Sequence, residues 1–126
     1  MMIMQGIDLL KIERIKRIYL KHSDRFLEKI LTYKEIKQIK KHKQIYNKIA
    51  SKFSAKEAVS KALGTGFSQG VKIKDIEILN LESGKPEINL YGKAKKKIKN
   101  IQSSSVSISD EDGFVVSVAT FLVENK

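Results

Sequence analysis

Apolar residues recur at helical spacing through the first half of the chain and at alternating spacing through most of the second. That change of period is the main structural signal in the sequence. The opening "MMIMQGIDLL" reads as a buried strand that ends near Asp8. In "KIERIKRIYLKH", Ile12, Ile15, Ile18 and Tyr19 make one apolar stripe on a helix, and "DRFLEKIL" continues it with Phe26, Leu27, Ile30 and Leu31. Thr32 and Glu35 have the spacing of a capping box and predict a third helix from Tyr33 to about His42. A longer helix is expected from about Ile45 to Leu63, with Ile45, Ile49 and Phe53 along one line and Gly64 as its stop.

"VKIKDIEILN" alternates, and "PEINL" follows a turn centred on Gly84. "YGKAKKKIKN" is a short, weakly apolar helix; "SSVSISD" and "FVVSVATFLV" are strands separated by "EDG". Helices cluster early and strands late, with one strand in front. The order predicts an α+β fold, an antiparallel sheet packed with helices, rather than a doubly wound parallel sheet. With no linker and a single proline, residues 1–126 are expected to form one domain.

Composition narrows the class. Apolar residues make up 41% of the 126, enough for a core. The chain has no cysteine, which excludes disulfides, iron–sulfur clusters and thiolate zinc and suits a reducing compartment. The start lacks the layout of a signal peptide, and "FVVSVATFLV" is too short to span a bilayer. A soluble, cytoplasmic protein without membrane attachment is expected. The net charge of +11 attracts polyanions without choosing among them. Nucleic acid is the weaker candidate, because aromatics are only 7% and tryptophan is absent, leaving no clear stacking cluster.

Familiar phosphate motifs fail on order: "GTG" follows a helix instead of preceding one. His22 and His42 lie in lysine-rich helical surface. Two carboxylates stand out. Asp8 ends an apolar strand, a poor place for a charge without a partner, and Glu57 shares a helix line with Phe53 and Lys61. Oxygen ligands from two separated elements suit Mg²⁺, which shares its shell with water and substrate phosphate, and Lys61 would reach the same phosphate. The competing reading is a surface Glu57–Lys61 pair worth roughly 0.3–0.5 kcal/mol, with Asp8 as an ordinary strand-end carboxylate.

"GIDLLKIERI", "RFLEKILTYKE", "KFSAKEAVSKALGTGF", "IKDIEILNLESGKPEINLYGKA" and "VSISD", in this order, resemble the holo-[acyl-carrier-protein] synthases, the small trimeric class of phosphopantetheinyl transferases. The resemblance covers nearly the whole chain. It implies the phosphopantetheinyl transferase fold and Mg²⁺-dependent transfer of the phosphopantetheine arm of coenzyme A to a serine of acyl carrier protein. Adenosine 3′,5′-bisphosphate would be released, and the reaction would support fatty acid biosynthesis. By the same resemblance Asp8 and Glu57 are the magnesium ligands and Lys61 meets the diphosphate. Ser60, Gly64 and Gly66 border coenzyme A, and Arg14 faces the carrier protein.

Two positions depart from the family pattern. Lys52 stands where arginine is usual, which keeps charge but loses a bidentate grip on phosphate. Asp110 stands where histidine is usual, so it either points away from the ligand or marks a different hold on the nucleotide. A homotrimer with sites between subunits is expected, with "FVVSVATFLV" lining the shared axis. Carrier proteins are acidic. Arg14, Arg17 and Lys21 share a helix face, Arg25 and Lys29 follow, and Phe26 offers an apolar anchor beside them.

Overall fold

A computed structural model describes residues 1–125. The chain runs β1 (Met2–Lys11), α1 (Ile12–His22), α2 (Asp24–Ile30), α3 (Tyr33–Ile39) and α4 (Ile45–Ala62). It continues through β2 (Ile76–Asn80), β3 (Pro86–Leu90), α5 (Gly92–Lys97), β4 (Ile101–Glu111) and β5 (Phe114–Val123). β5 is the middle strand of an antiparallel sheet ordered β1-β5-β4, and β2 pairs with β3 in a separate hairpin. The α+β class with antiparallel pairing is as the periodicity indicated. Among the described residues no helix is long and apolar enough to cross a membrane.

α4 is the common packing element. Ala55, Ala58, Val59 and Ala62 join the core made with β2, β4 and β5, while Ile49 and Ala50 join the core made with α1, α2 and α3. A helix buried on several sides carries little amphipathic signal. Its small residues let the sheet come close.

Several sequence expectations shift. The first strand is buried on one face only: it is an edge strand with Ile3, Ile7 and Leu9 exposed on its outer face, and it runs past Asp8 to Lys11. With apolar residues at both odd and even positions, this run cannot show which face is covered, because alternation is the only signal of sidedness. Ser23, at φ 50°, breaks the early helical run into α1 and α2. Ile18, read as part of the inward stripe, is exposed, since α1 turns Ile15 to the core instead. The capping box is present, Thr32 Oγ1 accepting from Glu35 N at 3.3 Å, but α3 ends at Ile39.

The Glu35 carboxylate also does more. It pairs with Lys56 Nζ at 2.6 Å and accepts from the Thr32 and Ile78 backbone amides, each at 2.8 Å. Lys56 Nζ donates to Ile30 O at 2.7 Å. Both side chains are fully buried, and burial pushes the Lys56 ammonium below its usual range despite Glu35. This pair ties α2, α3, α4 and β2 together. Removing one partner strands a charge, so Glu35→Leu or Lys56→Met should each cost about 3–5 kcal/mol of unfolding free energy in urea titrations. The double variant Glu35→Leu/Lys56→Met should lose clearly less than the sum; strict additivity would rule out a coupled pair.

Candidate functional site

The site begins where β1 crosses α4. A Cβ on Gly6 would lie 2.1 Å from Ala58 O and 2.5 Å from Ala62 N, so only glycine permits this approach. Two residues on, and therefore on the same face of the strand, Asp8 is delivered to the helix. Asp8 pairs in register with Ser117 of β5, whose Oγ donates to Ser54 Oγ of α4 at 2.8 Å beneath it. Lys61 Nζ reaches back to Asp8 Oδ1 at 3.3 Å and to Ile7 O at 3.1 Å. Glu57, one helical turn before Lys61, is half-buried.

Electrostatics tie the two acids together. Burial, and then the negative charge of Asp8, raise the Glu57 carboxyl above its usual range; Lys61 and Arg14 oppose the shift. Arg14 of α1 is near enough for its charge to act on the Glu57 carboxyl. Among the described residues no donor bonds the Glu57 carboxylate, and no cluster of three or more His, Cys, Asp or Glu is present. Two oxygen-bearing side chains that repel each other beside one lysine suit a hard divalent cation that keeps most of its water. They do not suit an all-protein metal cage.

Ser60 is buried and its Oγ donates to Glu57 O at 2.7 Å. The chain leaves α4 through Gly64 (φ 81°) and Gly66 (φ 57°), both in the region that favours glycine. Gly66 N donates to Ser60 O at 3.1 Å and Gly64 N to Lys61 O at 3.0 Å. Ser60, Gly64 and Gly66 thus cluster at the Lys61 end of α4.

Lys52 and Asp110 lie elsewhere. They line a cleft of about 640 Å³ between the first half of α4, the β2–β3 hairpin and β4. Asp110 Oδ2 accepts from Asn47 Nδ2 at 3.2 Å, so its side chain belongs to the cleft wall and does not point away from it. Lys48 and Lys85, which the sequence did not single out, line the same cleft. The Lys52 ammonium is committed to three oxygens: Ile78 O, Gln38 Oε1 at 3.1 Å and Asn80 Oδ1 at 2.8 Å. Burial, with Lys56 and Lys48 repelling it, lowers this ammonium to about 8.

A third feature is a groove of about 570 Å³ lined by Ile18, His22, Arg25, Phe26, Glu28 and Lys29. It joins Arg25, Phe26 and Lys29 and adds the apolar Ile18. Arg14, Arg17 and Lys21 are exposed on α1 and do not line it. The signal for Gly6 was present in "GID", but a glycine in a strand does not announce which backbone it touches.

Residues 4–119 match the family model described as the 4'-phosphopantetheinyl transferase superfamily. A holo-[acyl-carrier-protein] synthase of Maridesulfovibrio salexigens is 41% identical over 98% of this chain and 99% of its own length. One from Caldanaerobacter subterraneus is 46% identical, with 94% of each chain covered. Among solved structures, the Helicobacter pylori holo-[acyl-carrier-protein] synthase in complex with coenzyme A superposes with a TM-score of 0.84 at 34% identity, covering 94% of this chain and 100% of that one.

Proposed function

The chain belongs to the 4'-phosphopantetheinyl transferase superfamily, and from that premise we propose that Asp8, Glu57 and Lys61 form its catalytic centre. The enzyme transfers the phosphopantetheine arm of coenzyme A to a serine of apo acyl carrier protein. The observation that supports the centre is the meeting of Asp8 and Glu57 at the Gly6 crossing, with Lys61 on Asp8.

In this reading Asp8 and Glu57 would hold Mg²⁺, and the chemistry supplied would be charge compensation for the diphosphate. The carrier-protein serine oxygen forms the new P–O bond and gives its proton to water or a nearby carboxylate, the phosphoanhydride P–O bond breaks, and adenosine 3′,5′-bisphosphate leaves. Lys61 would move from Asp8 to the charge that builds on the leaving phosphate. Ser60, Gly64 and Gly66 would shape the backbone beside the diphosphate. The nucleophile comes from the partner, which fits the absence of a nucleophile–histidine arrangement in the sequence. A cytoplasmic setting and a role in fatty acid biosynthesis accompany this reading.

Lys48 and Lys52 share one face of α4, and Glu57 and Lys61 share another. At 3.6 residues per turn, Lys52 and Glu57 project roughly 140° apart. One coenzyme A is not easily wrapped by both faces of the same helix. We therefore read the cleft of one chain as the nucleotide half of a site whose diphosphate half belongs to its neighbour in a homotrimer. The outer face of the β1-β5-β4 sheet, with Ile3, Ile7 and Leu9 exposed beside Val116 and Val118, supplies an apolar surface for that assembly. Subunit mixing tests it. Lys61→Ala and Lys48→Glu should each be nearly inactive, and refolding the two together should restore part of the activity. Inactive mixtures, or an active monomer in native mass spectrometry, would rule out the composite site.

The α1–α2 surface is the proposed docking face for the acidic carrier protein, with Phe26 and Ile18 at its apolar centre and Arg14, Lys21 and Arg25 around it. Charges at an interface rim act mainly on association and weaken with salt. Arg25→Glu should raise KM for carrier protein about tenfold or more while changing KM for coenzyme A less than twofold, as roughly 1.4 kcal/mol corresponds to each tenfold step. Steady-state kinetics at two ionic strengths checks this, and equal effects on both substrates would exclude the face.

A further inference from the structure

Gln38 of α3 does not line the coenzyme A cleft; it sits behind the hairpin that does. Its side chain nevertheless makes three bonds there. Gln38 Nε2 donates to Asn80 O at 2.9 Å, and Gln38 Oε1 accepts from Asn80 N at 3.0 Å and from Lys52 Nζ at 3.1 Å. One amide thus pairs with both backbone groups of Asn80, as a neighbouring strand would. Asn80 ends β2, and its own side chain carries the linkage onward: Oδ1 accepts from Lys52 Nζ at 2.8 Å, and Nδ2 donates to Gly84 O at 3.0 Å in the turn before β3. The chain of bonds runs from α4 through Lys52 to Asn80 and the hairpin tip, with Gln38 bracing it from α3.

The cleft opens between this hairpin and α4. Asn80, Gly84, Lys85 and Pro86 form one wall; Asn47, Lys48 and Lys52 form the opposite one. No apolar core lies between the hairpin tip and α4 at this point: the buried cluster there includes Ile76 and Ile78 but nothing beyond them on β2. At this point the bonds between hairpin and α4 are those of the polar joint. Nothing in the phosphoryl transfer itself uses Gln38.

We propose that Gln38 is a positioning residue for coenzyme A: with Lys52 and Asn80 it clasps the β2–β3 hairpin to α4 and sets the width of the cleft that takes the nucleotide. This rests on the cleft being the nucleotide half of the site. The three hydrogen bonds that Lys52 Nζ donates make its ammonium part of the clasp, leaving Lys48 and Lys85, among the described residues, as the lysines of the cleft lining outside it.

The test compares Gln38→Leu with Gln38→Glu, which keeps the acceptors for Lys52 and Asn80 N. Binding of adenosine 3′,5′-bisphosphate is measured by calorimetry, and hydrogen exchange follows the amides of residues 81–85. Gln38→Leu should weaken nucleotide binding about tenfold and speed exchange in the turn, with kcat at saturating coenzyme A and KM for carrier protein within about twofold. Gln38→Glu should recover most of the binding. Wild-type affinity in Gln38→Leu, or a parallel loss of kcat and both KM values, would overturn the clasp. Should Gln38→Leu not fold, full-strength binding with fast turn exchange in Gln38→Glu would overturn it equally. If the wild type binds the nucleotide and Lys48→Glu leaves that binding intact, the cleft assignment itself falls, and the clasp with it.

Discussion

Glu57→Gln is expected to lower kcat by roughly 10²–10³-fold, the loss typical of removing one preorganised electrostatic contact, and to raise the melting temperature of the metal-free protein. The two effects have one cause. Asp8 and Glu57 are held together at the β1–α4 crossing, and burial with the charge of Asp8 raises the Glu57 carboxyl. Folding thus costs free energy whenever Glu57 is ionised without a cation beside it. Glutamine keeps the shape and removes the charge. The sign with pH follows. A raised folded pKa means that the folded chain binds this proton more tightly than the unfolded chain. The resulting stability is present at low pH and is lost as pH rises through the folded pKa. The variant's advantage in stability should therefore appear above that pH and vanish below it. Added Mg²⁺ should stabilise the wild type and not the variant, and the Mg²⁺ needed by the wild type should rise as pH falls. Thermal unfolding against pH and Mg²⁺, read beside steady-state kinetics, checks all of this. Near-normal turnover by Glu57→Gln at low Mg²⁺ would sink the metal assignment, and an unchanged metal-free melting temperature would remove the proposed repulsion.

Gly6→Ala should be nearly as damaging to activity and, unlike Glu57→Gln, should destabilise the fold. The added methyl would meet Ala58 O at 2.1 Å and Ala62 N at 2.5 Å, and both are backbone atoms of a buried helix. Neither can rotate away, so β1 must lift from α4. Overpacking of this kind typically costs about 1–3 kcal/mol, and contact with rigid backbone places it at the upper end. The same movement withdraws Asp8, two residues further along the strand, from Glu57 and Lys61. Activity should fall further than the loss of folded protein explains, and saturating coenzyme A should not restore it. Urea unfolding with kinetics on the folded fraction separates the two effects. A Gly6→Ala enzyme of normal stability and turnover would mean that β1 does not rest on α4 as described.

Much of the outline was legible because local rules governed it. The Thr32–Glu35 capping box and the long helix ending at Gly64 follow from spacing and backbone preference, and each stands in the structure; the alternation read in "VKIKDIEILN" yields a strand only over Ile76–Asn80, where Ile76, Glu77 and Ile78 are all buried. Asp8, Glu57 and Lys61 could be picked out because a charge at the end of an apolar run, and an acid within a lysine-rich helix, conflict with their surroundings. Their meeting could not be read from spacing, since Asp8 and Glu57 lie 49 positions apart and chain order does not encode distance.

The sequence by itself determined the elements, the α+β class and the chemical types available: oxygen ligands, lysines and no thiol. Only the tertiary structure decided how those types were used. It sent Lys56 into a buried pair with Glu35 and left Lys61, five residues later, at the surface on Asp8. It committed Lys52 to three oxygens and gave the cleft to Lys48 and Lys85. All these lysines look alike in a list, because each carries the same ammonium on the same flexible stem. What separates them is the burial and the set of acceptors each one meets, and those are supplied by residues far away in sequence.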